Sequence, residues 1–165
     1  MRIIGIDPGL ATTSWAIVEF AKDGAIKPLD FGVISTKKGL PVAERLGEIY
    51  KDMTELVKKF DPEISAVETL LFYNNAKTAI VVGEARGVVL LALSQAKLPI
   101  HEFTPLQVKS SVTGYGKADK KQVQESVMNI CQLEELPKPD DAADAIAVAI
   151  AGYDGQKMDN LMNTK

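Results

Sequence analysis

Four acidic residues stand where a folded chain can bring carboxylates together. Asp7 ends a run of β-branched residues typical of a buried strand, and Glu68 ends a second such run. Asp141 and Asp144 are three residues apart in an alanine-rich segment, so a helix places them on one face. Grouped carboxylates repel one another unless a divalent cation intervenes. Oxygen ligands without histidine or cysteine favour Mg²⁺ or Mn²⁺, and two such ions about 3.5–4 Å apart can promote hydrolysis of a phosphodiester.

Two of these acids also have a simpler interpretation. Pro8 and Gly9 turn the chain directly after Asp7, which on its own suits a turn former. Asp141 suits the start of a helix, where a negative charge is worth only about 0.3–1 kcal/mol. Asp144 lies further into the helix among apolar residues, where an unpaired carboxylate would be costly. A cation partner is therefore the better explanation of Asp144.

A basic region precedes the last pair of acids. Residues 104–123 carry four lysines and one aspartate, a local net charge of +3, although the whole chain has a net charge of −3. Runs of charge usually form a solvated face. Here Gly114-Tyr115-Gly116 lies among the lysines, and this combination favours contact with a phosphate backbone. The four basic residues are Lys109, Lys117, Lys120 and Lys121.

Bulk composition restricts the class of protein. The 165 residues suit one domain, and 46% hydrophobic with 25% charged residues is ordinary for a globular protein. Without an apolar run long enough to span a bilayer or a leader-like start, we expect no membrane association. The single cysteine, Cys131, fits a reducing cytoplasm and a buried structural role. The single histidine, His101, excludes a multi-histidine metal site and is expected to be structural.

The predicted elements carry the first two acids to one edge of a sheet. Three strands joined by short turns form an antiparallel meander over residues 2–7, 14–20 and 30–36. A helix that opens at Pro41 and ends before Asp61 leads to a strand over 64–68. A strand, a crossover helix and another strand imply parallel pairing with the first strand. Ligands gather beyond the carboxyl ends of such strands, where Asp7 and Glu68 lie.

The second half of the chain supplies the other side of the site. We predict a helix over 76–96, a short strand over 99–103 and a helix that starts after a capping box of Asp119 and Gln122. The last helix is expected over 141–151. A polar, loosely ordered tail is expected from Asp154 onward.

Two further features admit two interpretations each. The segment 70–75 carries Leu71, Phe72 and Tyr73 beside Glu68, which suits either a cap on the core or an exposed contact surface. Gly83 and Gly87 lie four apart in a predicted helix, where each costs roughly 1 kcal/mol relative to alanine. Their position suits the close approach of another element, either the sheet or a second subunit.

Taken together, the motifs resemble those of the RuvC family of bacterial Holliday-junction resolvases, in the same order and spacing from Arg2 to about Ala151. They are Gly5-Ile6-Asp7-Pro8-Gly9, Val67-Glu68, Gly83-Glu84-Ala85-Arg86-Gly87-Val88, Gln107-Val108-Lys109, Gly114-Tyr115-Gly116-Lys117-Ala118-Asp119-Lys120 and Asp141-Ala142-Ala143-Asp144-Ala145.

The resemblance implies an α/β, ribonuclease-H-like fold with a five-stranded mixed sheet flanked by helices, over a nuclease domain of residues 1–153 and a polar tail of residues 154–165. It implies a homodimer that cuts four-way DNA junctions in recombination and repair, by symmetric nicks that leave 5′-phosphate ends. The helix with Gly83 and Gly87 matches the dimer helix of the family. The RuvA–RuvB branch-migration proteins are the implied partners. The implied ligands of Mg²⁺, two ions per site with Mn²⁺ as a substitute, are Asp7, Glu68, Asp141 and Asp144.

The same resemblance assigns DNA contacts. Lys109 and Lys120 match basic positions that serve DNA binding or transition-state charge in the family. Family members commonly carry a phenylalanine pair after the catalytic glutamate, whereas this chain has Leu71-Phe72-Tyr73. Phe72 is the nearest match, and the sequence leaves open which of the three acts on bases.

Three rival classes share part of this pattern. Actin-like ATPases begin with a strand and Asp-x-Gly, but need two such domains and far more than 165 residues. The YqgF group, which acts on RNA, shares the opening strand, but the Gly-Tyr-Gly-Lys region and the Asp-x-x-Asp helix favour the RuvC family. A non-catalytic junction-binding protein would normally have lost at least one of the four acids, all of which are present here.

Overall fold

A five-stranded mixed sheet forms the centre of the computed structural model, which describes residues 1–69 and 76–162. Its strands are β1 (Arg2–Asp7), β2 (Thr12–Phe20), β3 (Ile26–Ser35), β4 (Ile64–Glu68) and β5 (Ile100–Phe103). Their order across the sheet is β3-β2-β1-β4-β5. The first three pair antiparallel, β4 pairs parallel with β1, and β5 pairs parallel with β4. The predicted meander and the predicted parallel pairing are both confirmed.

Helices cover both faces of this sheet. They are α1 (Val42–Phe60), α2 (Ala76–Gln95), α3 (Pro105–Thr113), α4 (Lys120–Cys131) and α5 (Asp141–Met162). Ile4 and Ile6 of β1 pack with residues of α1 and α2 in one core. Ile3, on the other face of β1, packs with residues of α3, α4 and α5 in a second core. Across the described ranges, no helix is both long and apolar enough to cross a membrane.

Small residues let α5 lie directly on the sheet. A Cβ atom added at Gly5 of β1 would come within 2.2 Å of Ala145 O and 2.5 Å of Ala149 N. Further along, a Cβ at Gly152 would come within 2.7 Å of Ala66 Cβ on β4. Since such separations are shorter than any van der Waals contact, only glycine fits at these crossings. The crossing at Gly5 also holds the first turn of α5 close to the end of β1.

The last helix is longer than predicted. It was expected to end at residue 151 and to give way to a loose tail, but α5 continues to Met162. Tyr153 stacks on Phe20 with ring centroids 4.1 Å apart, and Gly155 lies against the ring of Phe103. These contacts hold the extra turns on the sheet, so the expected end of the helix is wrong. The domain boundary at residue 153 stays a prediction.

Candidate active site

Two buried strands end at the same edge of the sheet and carry Asp7 and Glu68 there. Because β1 and β4 pair in parallel, with Ile6 opposite Val67, the acids that follow these residues are neighbours. Parallel strands present their carboxyl ends to one crevice, which is where ligands of such sheets bind. The predicted convergence of these two acids is confirmed.

The turn after Asp7 is fixed by backbone and hydroxyl contacts. Thr13 Oγ1 donates a hydrogen bond to Gly9 O at 2.7 Å, and Gly9 N lies 3.3 Å from the same hydroxyl. A Cβ at Gly9 would come within 2.5 Å of Thr12 O, so a larger residue would force this turn open. The carboxylate of Asp7 is therefore held at the end of a rigid strand and a closed turn.

A cavity of about 250 Å³ opens beside the strand ends. Its charged lining residues are Asp7, Glu68, Asp144, Lys109 and Lys120. The lysines come from α3 and α4, and Asp144 comes from the first turn of α5. Three acids from three separate elements thus share one small space with two cations.

Lys120 joins the two aspartates of α5. Its Nζ lies 3.2 Å from Asp141 Oδ1 and 3.4 Å from Asp144 Oδ2. The start of α4 is fixed by the predicted capping box, in which Asp119 Oδ1 accepts from Gln122 N at 2.8 Å and Gln122 Oε1 accepts from Asp119 N at 2.9 Å. This cap sets where the Lys120 side chain leaves the helix.

Burial and crowding of negative charge disfavour ionisation of the strand-end acids. Burial raises the pKa of Glu68 to about 8, and the charge of Asp7 and a hydrogen bond shared with Asp7 add to the effect. Burial also raises the pKa of Asp7, and the negative charges of Asp144 and Asp141 raise it further. The hydrogen bond with Glu68 lowers this pKa, but by less than burial raises it. Burial thus favours the protonated form of both carboxyl groups, which share a hydrogen bond.

Lys120 is the cation beside the two aspartates of α5, and their negative charge in turn raises its pKa. Burial raises the pKa of Asp144, although Lys120 opposes this shift. Partial burial lowers the pKa of Lys120, but hydrogen bonds and charge from Asp141 and Asp144 outweigh it, so the net pKa is raised. Lys120 is thus held as an ammonium ion beside the acids.

The four acids are not gathered into a ligand set as they lie here. Within residues 1–69 and 76–162, no three histidine, cysteine, aspartate or glutamate side chains converge closely enough to hold a metal ion. The contacts explain this, because Lys120 binds Asp141 and Asp144 while Asp7 and Glu68 share a hydrogen bond. The donors are all carboxylate oxygens with excess negative charge, which is the chemistry that Mg²⁺ or Mn²⁺ requires.

Other predicted site residues lie elsewhere. Lys117 is exposed in the turn between α3 and α4, and Lys121 forms an exposed ion pair with Glu125 at 3.7 Å. Neither is among the charged residues that line the cavity. The predicted contact residues Leu71, Phe72 and Tyr73 lie outside the described residues.

The glycines of α2 face away from the rest of the described chain. A Cβ at Gly83 or Gly87 would meet no atom within 4 Å among the described residues. The sheet therefore does not explain them, and a second subunit remains the other interpretation. On the same side of the helix, Ile80 and Leu91 are 64% and 50% exposed.

The cysteine and the histidine stand apart from the acids. Cys131 is buried at the end of α4, and burial raises the pKa of its thiol to about 11, which is typical of an inert structural cysteine. Nδ1 of His101 on β5 lies 3.7 Å from Oδ2 of Asp159 on α5. The expectation that both are structural agrees with these positions.

Sequence reasoning missed three features in or next to the site. It did not predict α3, which carries Lys109, although Thr104 and Gln107 form a capping box that could have revealed the helix start. It did not identify Gly5 as the crossing point of α5. It also passed over Ser14, a buried serine opposite Asp7 in the β1–β2 pair.

The amino-acid sequence matches both a family model and individual proteins of the same description. The sequence model of the family described as "Crossover junction endodeoxyribonuclease RuvC" matches residues 3–152. A protein of Thermosipho melanesiensis named "Crossover junction endodeoxyribonuclease RuvC" is 53% identical over 150 residues, which cover 90% of this chain and 94% of that protein.

Two solved structures with the same family name have a similar fold to this chain. The structure described as "Thermus thermophilus RuvC structure" matches with a TM-score of 0.88 at 35% identity, over 96% of each chain. A second, "T. thermophilus RuvC in complex with Holliday junction substrate", matches with a TM-score of 0.86 at 32% identity, also over 96% of each chain. This likeness confirms the ribonuclease-H-like fold.

Proposed function

The chain belongs to the RuvC family of crossover junction endodeoxyribonucleases, and from this membership we propose that it resolves four-way DNA junctions by paired symmetric nicks that leave 5′-phosphate ends. As a member of this family it is a metal-dependent DNA endonuclease of recombination and repair. The observation that carries the proposed mechanism is the cavity in which Asp7, Glu68 and Asp144 meet Lys109 and Lys120.

We propose that Asp7, Glu68, Asp141 and Asp144 hold Mg²⁺, with two ions per site and Mn²⁺ as a substitute. Bound ions would supply Lewis acidity and a water nucleophile of lowered pKa for attack on the phosphodiester. For the acids to serve as ligands, the proton shared by Asp7 and Glu68 must leave, and Lys120 must release Asp141 and Asp144. The excess of carboxylates over cations supports this exchange, because a divalent ion offsets their repulsion better than one ammonium does.

The lysines divide into two groups in this proposal. Lys109 and Lys120 line the cavity, so they can contact the phosphate that is cut and stabilise the charge that develops on it. Lys117 and Lys121 are exposed outside the cavity, where they suit sequence-independent contact with the DNA backbone.

The segment Leu71-Phe72-Tyr73 begins three residues after Glu68, the acid at the end of β4 that lines the cavity. By resemblance to the family, we propose that this segment stacks on or unstacks bases near the crossover. Phe72 is the nearest match to the family's phenylalanine pair.

We further propose that the chain acts as a homodimer through α2. Gly83 and Gly87, where an added Cβ would meet no described atom within 4 Å, lie with Ile80 and Leu91 on one face, which allows two helices to approach closely. A four-way junction has approximate two-fold symmetry, so two copies related by a two-fold axis can make two equivalent cuts. The RuvA–RuvB complex is the proposed partner, and the cytoplasm is the proposed location.

A direct test is incubation of the purified protein with a four-way junction and with a linear duplex of matched sequence, each with Mg²⁺ and with a chelator. We expect paired nicks in the junction only, and only with Mg²⁺. Equal cutting of both substrates would exclude junction selectivity. Binding of the junction without any cutting would favour the rival interpretation of a non-catalytic junction-binding protein.

A further inference from the structure

Ser14 carries a buried hydroxyl group that has no hydrogen-bond partner. The residue is 1% exposed, and its Oγ bonds to none of the residues described. Buried hydroxyls are nearly always paired, because an unpaired one loses its hydrogen bonds to water without replacement. Ser65, an equally buried serine of the same sheet, obeys this rule by donating to Pro99 O at 2.9 Å. Ser14 is therefore an exception that calls for a partner.

The position of Ser14 identifies that partner. Ser14 of β2 and Asp7 of β1 are directly opposite each other in the antiparallel pair. Opposed residues project their side chains to the same face, with Cβ atoms about 4.5–5.5 Å apart. Ala16 and Val18 share the face of Ser14 and belong to the core beneath α5. The hydroxyl thus lies on the α5 side of the sheet, beside the Asp7 carboxyl group.

Ser14 Oγ has no hydrogen bond to Asp7 here, and the Asp7 carboxyl group is instead hydrogen-bonded to Glu68. A carboxylate has about four acceptor positions, so it can accept from a hydroxyl while another of its oxygens serves a cation. Hydrogen bonds to an ionised acceptor are about twice as strong as those between neutral groups. A carboxylate of Asp7 that turns toward a bound cation can therefore present a free acceptor position to Ser14.

We propose that Ser14 is a positioning residue, whose Oγ–H donates to the Asp7 carboxylate once Asp7 and Glu68 act as ligands of a divalent cation. This inference rests on the proposed metal site. The bond would fix the orientation of the carboxylate and stabilise the loaded form of the site. Supporting hydrogen bonds of this kind typically change metal affinity by about 10- to 100-fold.

Ser14 should differ from an ordinary structural serine in both stability and metal affinity. Removal of an unpaired buried hydroxyl does not destabilise the metal-free protein, because no bond is lost. The same removal weakens metal binding, because the loaded site loses a donor. A serine with a purely structural bond behaves in the opposite way. Ser65 provides this comparison, since its hydroxyl already has a partner.

The test uses four full-length proteins: the wild type, Ser14→Ala, Ser65→Ala and Asp7→Asn. Mg²⁺ and Mn²⁺ affinities are measured by calorimetry without DNA, and thermal unfolding is followed in a chelator. We expect Ser14→Ala to melt at or above the wild-type temperature and to bind Mg²⁺ about tenfold more weakly. Ser65→Ala should melt lower and keep wild-type affinity.

Two outcomes overturn the inference in distinguishable ways. If Ser14→Ala binds Mg²⁺ as tightly as the wild type, whatever its melting temperature, Ser14 does not position a ligand. If the wild type binds no Mg²⁺, or if Asp7→Asn binds it equally well, the proposed metal site itself fails and the role of Ser14 fails with it.

Discussion

The ammonium nitrogen of Lys120 lies 3.4 Å from Asp144 Oδ2. A further contact of 3.2 Å to Asp141 Oδ1 places the same cation between the two acids of α5. The first turn of α4 is thereby joined to the first turn of α5. In this arrangement Lys120 occupies the side of the site where we propose that a metal ion binds. Lys120 is therefore a counter-ion of the metal-free site, and we propose that it is also a cation for DNA.

Replacement of Lys120 by alanine should separate these two purposes. We expect Mg²⁺ to bind about fivefold more tightly, since one unit charge about 4 Å away is worth about 1 kcal/mol even in bulk water. Cleavage at saturating Mg²⁺ should fall by about 100-fold, because a cation near the developing phosphate charge is lost. Calorimetry and single-turnover cleavage of a four-way junction measure the two effects.

Lys121→Ala is the matched control for Lys120→Ala. Lys121 is the next residue along α4, and its exposed partner Glu125 lies outside the cavity. This variant should keep wild-type Mg²⁺ affinity and cleavage at saturating substrate. Weaker Mg²⁺ binding by Lys120→Ala would contradict the competition between the lysine and the metal.

Asp7→Asn should abolish cleavage while leaving junction binding largely intact. The proposed ligand is lost, and we expect the rate to fall by more than about 100-fold, the upper range seen for residues that merely support metal ligands. Binding should persist because the lysines proposed to contact the DNA backbone are unchanged. Single-turnover cleavage and mobility shift in a chelator distinguish the two effects.

The control for Asp7→Asn is Glu48→Gln, which removes an exposed acid from α1 on the opposite face of the sheet. It should cut at the wild-type rate. Cleavage by Asp7→Asn at a rate near that of this control would remove Asp7 from the proposed metal site.

The metal-free protein should become less stable as the pH rises. The pKa of Glu68 rises from its ordinary 4.5 to about 8 on folding, so the folded state binds the proton more tightly than the unfolded state does. The stabilising contribution of Glu68 to the free energy of unfolding is therefore fully present below the unfolded-state pKa of 4.5. It is lost as the pH rises to the folded-state pKa of about 8. Thermal unfolding in a chelator between about pH 5 and pH 8 measures the loss.

Glu68→Gln isolates this contribution from those of other titrating groups. The melting temperature of the variant minus that of the wild type should grow with pH, reaching a gain of about 2–4 °C for each kcal/mol of relieved repulsion. A difference that stays constant over the same pH range would show that Glu68 does not retain its proton in the folded state.

The strand ends were predictable because their signals are local. A β-branched run followed by Pro8-Gly9 indicates where β1 ends, and the run before Glu68 does the same for β4. The parallel pairing of these strands followed from the helix between them. The spacing of Asp141 and Asp144 was likewise enough to place them on one face of a helix.

Contacts between distant elements were not predictable in the same way. Nothing in the local sequence of Lys120 indicates that it pairs with Asp141 and Asp144, because α4 and α5 meet only in the folded chain. The extension of α5 past Gly152 and Gly155 opposes helix propensity, and contacts with the sheet stabilise it instead.

A bulky charge on the exposed face of α2 should prevent dimerisation. At Gly87 a side chain has free space within the described protomer, so Gly87→Arg should fold normally. In the proposed dimer it would hold two helices apart and desolvate a charge, which makes the variant monomeric. Sedimentation measures the state, and Gly47→Arg is the control, since Gly47 of α1 is also exposed and open. A dimer of unchanged strength in Gly87→Arg would place the interface elsewhere.

Gly5→Ala should destabilise the protein and damage the site at the same time. The new Cβ would lie 2.2 Å from Ala145 O and 2.5 Å from Ala149 N, so α5 must move away from β1. We expect the free energy of unfolding to fall by about 3 kcal/mol, the upper range for an overpacked core. Because Asp144 stands one residue before Ala145, the same movement should slow cleavage. Gly47→Ala, at an open helical position, should instead raise stability by up to about 1 kcal/mol. Chemical unfolding and single-turnover cleavage of both variants measure these effects, and wild-type values for Gly5→Ala would contradict the close crossing of α5 over β1.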